Sequence, residues 1–374
     1  MRLELNNIGT IKKATIEIDK LTIIASINDY GKSTIGKSLF ATIKAINNYK
    51  NDFKNYKLDQ VMRSINTITE RLENNITYDE KKHSSSEWFL YDYLLDTNIK
   101  KNDLKNSFKL SINDSTQKIE NIDEFNKLTN YINQKKEQIS DADYKIIEGN
   151  LKKMKSINQL KLKNYTNTLT NRYFKEIFNS DIINYNQDNA SIKLNENTNT
   201  VFNIQFNKEN EPILNKIKNS QAKDVTYIES PYILDDFNRR PRSFFRSYFN
   251  KEHNLSIDED FKNKLYKKNS TSVNDEINKT LFNEIIDQIN ETINGHFEYK
   301  KSTEEIIFKK DNHTINLSNT ATGIKSFALL ELLLKNRAIQ ENDIIIIDEP
   351  EVHLHPTWQV IYAKILITII NRMD

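Results

Sequence analysis

Asp343-Ile-Ile-Ile-Ile-Asp-Glu-Pro-Glu-Val-His-Leu-His-Pro356 is a run of four isoleucines that ends in an acidic pair. An unbroken β-branched run of this length predicts a strand buried on both faces, as in a parallel sheet. Asp348 and Glu349 then emerge together at its carboxyl end. Two adjacent carboxylates at the end of a buried strand are a poor structural choice unless a cation or a water uses them. Taken alone, the stretch also fits a core strand leaving into an acidic loop.

A second stretch near the other end of the chain changes that balance: Ser26-Ile-Asn-Asp-Tyr-Gly-Lys-Ser-Thr34. The apolar run Leu21 to Ala25 precedes it, and Lys32 to Ile46 follows with Ile35, Leu39, Ile43 and Ile46 at helical spacing. Buried strand, glycine turn and helix form the setting of the phosphate loop G-x-x-x-x-G-K-[ST]. Backbone N–H groups and the positive helix end cradle phosphates there, Lys32 adds a point charge and Ser33 reaches Mg²⁺. Asn28, Gly31 and Thr34 complete the nucleotide-binding set. Ser26 departs from the pattern where the first glycine belongs, and Asp29 puts a carboxylate beside the phosphate path. With both stretches present, Asp348 is expected on Mg²⁺ and Glu349 is expected to orient the attacking water, the geometry of in-line phosphoryl transfer. ATP and Mg²⁺ are the cofactors these residues predict.

Composition excludes several other chemistries. The chain of 374 residues carries 54 Lys plus Arg against 52 Asp plus Glu, so nucleic-acid binding would need a local patch and not a global charge. It has no cysteine, which removes disulfides, thiolate metal sites and cysteine nucleophiles. The start, MRLELNNIGTIKK, lacks the apolar core of a secretory signal, and no apolar run reaches membrane-spanning length, so a cytoplasmic protein without membrane contact is expected. One basic, aromatic cluster stands out, Arg239-Arg-Pro-Arg-Ser-Phe-Phe-Arg-Ser-Tyr248. Arg239, Arg240, Arg242 and Arg246 offer a nucleic-acid contact, a partner-protein contact or a solvated loop.

Periodicity divides the chain into an α/β head with a long helical insertion. Residues 1–48 form the first lobe, with two half-buried strands around Leu3 to Leu5 and Ile16 to Ile18 and a buried strand over Leu21 to Ala25. Residues 49–190 read as a helical arm with a seam at Leu58, Met62, Ile65, Ile68 and Leu72, returning at Ile147, Leu151 and Met154; a bundle packed on itself is favoured over a coiled coil. Residues 191–374 form the second lobe. It opens with a hairpin, Ile192 and Leu194 facing Phe202, Ile204 and Phe206, and a buried strand from Asp224 that stops at Pro231. A helical sub-insertion over about 234–293, a hairpin between Gly295 and Leu317, a helix from Ile324 to Lys335 and a last helix from Thr357 follow.

The pairing of N-x-x-G-K-S-T with IIIIDEPEVHLHP resembles the RecF, SMC and OLD group of ABC-type ATPases, over roughly the first 50 and last 150 residues. The resemblance implies a P-loop NTPase head with a mixed sheet. It implies a homodimer in which two heads sandwich ATP, one head's phosphate loop facing the other's signature segment. Ser318-Asn-Thr-Ala-Thr-Gly-Ile-Lys325 stands where that segment belongs, with Thr322 and Gly323 as contacts in trans; an ordinary helix cap by Thr320 or Thr322 is the alternative. It places His353 and His355 at a dimer interface and not on a metal, and Glu229 where a glutamine is usual. It also implies a strand after the acid pair, lying between the phosphate-loop strand and the Asp348 strand, for which one helix past Asp348 leaves no room; a shortened form, a strand from another polypeptide or a departed fold would each account for that, with weak turnover in each. The functions implied are genome maintenance, DNA repair or anti-phage defence, with an effector or nuclease partner, and a nucleotide-sensing scaffold without hydrolysis as the alternative.

Overall fold

The computed structural model describes residues 1–27, 30–73, 122–237, 256–266, 274–300, 305–336 and 338–372. They form two compact units, Met1–Asn48 with Asn167–Asp374, and Tyr49–Thr166.

The first unit begins with alternation. β1 (Arg2–Ile8) and β2 (Ile11–Glu17) form an antiparallel hairpin, and β3 (Ala190–Glu196), β4 (Asn199–Phe206) and β5 (Pro212–Ile217) complete a sheet in the order β2-β1-β3-β4-β5. The register sets Leu3 against Leu194, Leu5 against Ile192, and Ile192 against Ile204, so every second side chain falls on one face. Asn197 makes the β3–β4 turn at φ 52°, a left-handed conformation asparagine tolerates. The apolar face buries Leu3, Leu5, Ile192, Leu194, Phe202, Ile204 and Phe206 in one core with Phe40 and Ile43. Those two residues belong to α1 (Lys32–Glu73), whose apolar residues recur every three or four positions.

Two short strands carry the acidic end. β6 (Val225–Ile228) and β10 (Ile344–Ile347) pair in parallel, Ile344 beside Val225 and Ile347 beside Ile228. Around them lie α5 (Ile233–Phe237), α6 (Ile257–Tyr266), α7 (Asn274–Ile293), α8 (Thr322–Lys335) and α9 (Pro356–Arg372). β7 (His296–Lys300), β8 (Glu305–Lys310) and β9 (His313–Asn316) form a three-stranded meander where a hairpin was expected. Phe297, Phe308, Phe327, Leu330, Leu333 and Ile365 share the second core.

Two expectations need correcting here. Leu21 to Ala25 is no strand: the run is exposed, Leu21 at 52% and Ile23 at 81%. Among the described residues β6 and β10 pair only with each other, so the run has no neighbour to complete its ladder, and apolar character cannot by itself satisfy backbone groups. For the same reason no single mixed sheet forms among the described residues; parallel and antiparallel pairing lie in separate sheets.

The second unit is helical. The distal part of α1, α2 (Ile122–Gln134) and α3 (Asp141–Asn158) bury Val61, Ile65, Ile68, Leu72, Leu128, Ile132, Ile147, Leu151 and Met154 together. Met62 lies exposed and Val61 takes its place in the seam, a one-residue rotation of the helix face. Ser140 caps α3, its side chain accepting from the Asp143 amide. The boundary falls at 166 and not at 190, because α4 (Thr166–Ile177) sends Tyr173 and Phe174 into the first unit's core, where Phe174 stacks on Phe202. No described helix is long and apolar enough to cross a membrane.

Candidate nucleotide and cation site

Gly31 sets the phosphate-loop turn. Its φ is +83°, and an added Cβ would lie 2.6 Å from Ile11 Cγ1 and 2.9 Å from Thr10 Oγ1, so both conformation and space require glycine. α1 starts at the next residue and leaves its first amides unpaired within the helix, the property that makes a helix start attractive to anions. The Lys32 ammonium donates to the carbonyl oxygens of Ser26 (3.0 Å) and Ile27 (3.4 Å), so the lysine holds the loop curled over the helix start. Thr34 lies in the first turn beside Gly9. Asn28 and Asp29 lie outside the described residues.

The acid pair arrives through β10. The Asp348 amide donates to the Ile228 carbonyl (2.9 Å), extending the parallel ladder by one step and fixing where the carboxylate leaves the strand. Glu349, exposed, has a φ of 45°. The link between loop and acid is a residue that the sequence motifs did not identify. Tyr227 on β6 donates its hydroxyl to Asp348 Oδ2 (2.9 Å), and the Ser33 side chain lies beside the same hydroxyl, acting to lower its pKa. Burial, and then the Asp348 carboxylate, push the Tyr227 phenol well above its usual range, so it stays protonated and can only donate to the acid. Gly36 allows this arrangement, since an added Cβ there would lie 2.8 Å from the Tyr227 ring and 3.1 Å from Ile346. A polar-tipped ring on a wholly buried strand, opposite a glycine inside the loop helix, was the available signal.

Glu229, just past β6, forms an ion pair with Lys37 of α1 at 2.8 Å. Beneath the site, Lys44 of α1 reaches Asp224 (2.6 Å) and Asp260 (2.5 Å), and Lys264 of α6 reaches Asp224 (3.0 Å), Asp260 (3.2 Å) and Thr226 Oγ1 (2.6 Å). Burial acts most strongly on Lys44 and would lower it, yet Asp260 and Asp224 hold it above the usual lysine value. Burial would likewise raise Asp224, but Lys44 and Lys264 hold it below its usual value. The network ties α1, β6 and α6 into one block. A cavity lined by Tyr227, Glu229, Ser230, Asp258 and Phe261 among others holds about 150 Å³, less than ligand pockets enclose.

The signature-like segment starts α8. Ala321 is its cap residue with no side-chain cap bond, and Thr320 donates to the Leu317 carbonyl, so neither threonine caps the helix. Thr322 Oγ1 lies 3.5 Å from the Tyr232 hydroxyl, and an added Cβ on Gly323 would lie 3.0 Å from the His353 carbonyl oxygen. The His353 ring sits edge-on to Tyr232 at 5.3 Å, and His355 Nδ1 accepts from the Thr357 amide at 3.4 Å. Arg239, Arg240, Arg242 and Arg246 lie outside the described residues.

The structure thus brings Asp348 onto the Tyr227 hydroxyl with Ser33, next to Lys32 in the chain, beside it, and Glu349 follows Asp348 directly. A family model described as an AAA ATPase domain matches residues 1–373. No curated protein matches the chain.

Proposed function

The chain belongs to the AAA ATPase domain family, and from that premise we propose that it binds ATP at the start of α1 and hydrolyses it with Glu349. Membership implies ATP binding and hydrolysis as the family's general activity. The observation that carries the assignment to these residues is the meeting of Ser33 and Asp348, from opposite ends of the chain, at one tyrosine hydroxyl. Both offer oxygen to a hard cation, and a hydroxyl with a carboxylate is the protein share of a typical Mg²⁺–nucleotide site, whose remaining ligands are phosphates and water. Bound Mg²⁺ would neutralise charge on the β- and γ-phosphates. Lys32 and the amides of the Gly31–Ser33 turn bind the phosphate oxygens, and Glu349, exposed beside Asp348, takes a proton from the attacking water.

Beyond the single chain, the reading extends to a homodimer through the heads, with Thr322 and Gly323 contacting the partner's nucleotide and the closure controlling an effector, a nuclease or a nucleic-acid process such as DNA repair or antiviral defence. What supports it is position: the uncapped start of α8 presents its amides beside His353. A second reading is a nucleotide-sensing scaffold that gains a strand from a partner protein. The exposed run at Leu21, Ile23, Ile24 and Ile27, and a parallel pair with no third strand among the described residues, favour it.

Titration of a fluorescent ATP analogue into the full chain tests the primary assignment. Lys32→Ala removes the charge and should weaken binding by at least about tenfold, since a charge-assisted hydrogen bond contributes about 1.5–3 kcal/mol. Unchanged affinity would remove the assignment.

A further inference from the structure

Tyr227 carries a hydroxyl where packing alone asks for a ring. It is 1% exposed, stands edge-on to Phe40 at 6.1 Å and 83°, and abuts Gly36 so closely that an added Cβ would lie 2.8 Å from its ring. A phenylalanine would fill that slot, and a buried hydroxyl is tolerated only where it finds partners. Its partners are Asp348 and Ser33, the two oxygen groups assigned to the cation.

We propose that Tyr227 is a positioning residue for the divalent cation, presetting Ser33 and Asp348 as a pair of oxygen ligands. The proposal rests on the ATP-binding reading above and deepens it. A phenol has one proton, and here it goes to Asp348 Oδ2 at 2.9 Å. Ser33, beside the same oxygen, can meet it only by donating, which leaves the serine lone pairs open to a cation. One carboxylate oxygen is held, and Oδ1 has no hydrogen-bond or ion-pair partner among the described residues. Because the ring is buried against Gly36 and Phe40 of α1, its rotation is restricted, and the ligand pair needs less side-chain ordering at the moment of binding.

The test compares Mg²⁺ dependence and not activity. A fluorescent ATP analogue is titrated into the full-length chain, parent and Tyr227→Phe, in EDTA and then over rising Mg²⁺. The expected result is a ten- to hundredfold rise, an order-of-magnitude range for lost outer-shell support, in the Mg²⁺ concentration giving half-maximal effect. Binding in EDTA should stay the same. Asp348→Asn should shift the Mg²⁺ dependence too, and adding Tyr227→Phe to it should shift it by less than the same substitution shifts the parent, because part of the tyrosine's effect runs through that carboxylate. An unchanged Mg²⁺ dependence in Tyr227→Phe, or a full additional loss in the double variant, overturns the proposal while the ATP reading stands. A Tyr227→Phe chain that does not fold, by circular dichroism, assigns the hydroxyl to stability and overturns it as well. A parent chain that binds no nucleotide sinks the ATP reading and the proposal together.

Discussion

Glu349 combines a reactive position with a strained backbone. Its φ of 45° lies where a Cβ costs an L-residue about 1 kcal/mol. The conformation persists because both sides of it are tied: the Asp348 amide to the Ile228 carbonyl at 2.9 Å, and the Val352 amide back to the Glu349 carbonyl at 3.2 Å. Strain retained at an exposed carboxylate next to the proposed cation ligand Asp348 fits the catalytic role proposed for Glu349. Glu349→Gln keeps the shape and the strain but removes the base. ATP turnover should fall about hundredfold or more, with nucleotide affinity unchanged, in a phosphate-release assay at saturating ATP. Turnover that survives the substitution would remove Glu349 from the chemistry, and a parent chain that releases no phosphate would favour the scaffold reading. Motif spacing names Lys32, Ser33, Asp348 and Glu349 as candidates in the sequence. It does not name Tyr227, because a tyrosine in a strand looks the same whether its hydroxyl meets water or a carboxylate.

At the scale of elements, α1, β6 and α6 are held by four charges and not by apolar contact alone. Lys44 is 3% exposed and meets two carboxylates, so removing it leaves Asp224 and the buried Asp260 to share Lys264 alone. Lys44→Ala should cost about 1.5–3 kcal/mol, read from urea unfolding at neutral pH. The acid limb follows from the direction of the Asp224 shift. Its folded value lies below the unfolded 3.8, so its contribution is fully present above pH 3.8 and is lost as the pH falls through the lower folded value. The parent should therefore lose stability below that pH, and Lys44→Ala should show a smaller loss over the same range; equal acid profiles in the two would show that the network is not what holds Asp224 charged. Helix and hairpin existence was readable at this scale, since periods of 3.6 and 2 are local. The meander at 296–316 was read as a hairpin because Asp311 and Asn312 make a turn too short to announce itself in composition.

Across the whole molecule, order follows pairing. β1, β3 and β4 have neighbours on both sides and bury their apolar face, whereas residues 21–27 are exposed and belong to no strand. Deuterium uptake by the full chain should be fast over 21–27 and slow over β1, β3 and β4; protection of 21–27 as strong as that of β3 would mean the run is paired in solution. An α/β chain with a glycine turn ahead of a long helix, a late acid pair and a helical stretch between them can be read from neighbouring residues, because apolar spacing and motif chemistry are local. Distant packing, in contrast, sets Leu21 to Ala25 outside any described sheet, groups residues 167–190 with the first unit, and brings the buried Tyr227 hydroxyl onto Asp348. Each of those depends on a neighbour distant in sequence, and a local window holds the groups that need partners without holding the partners.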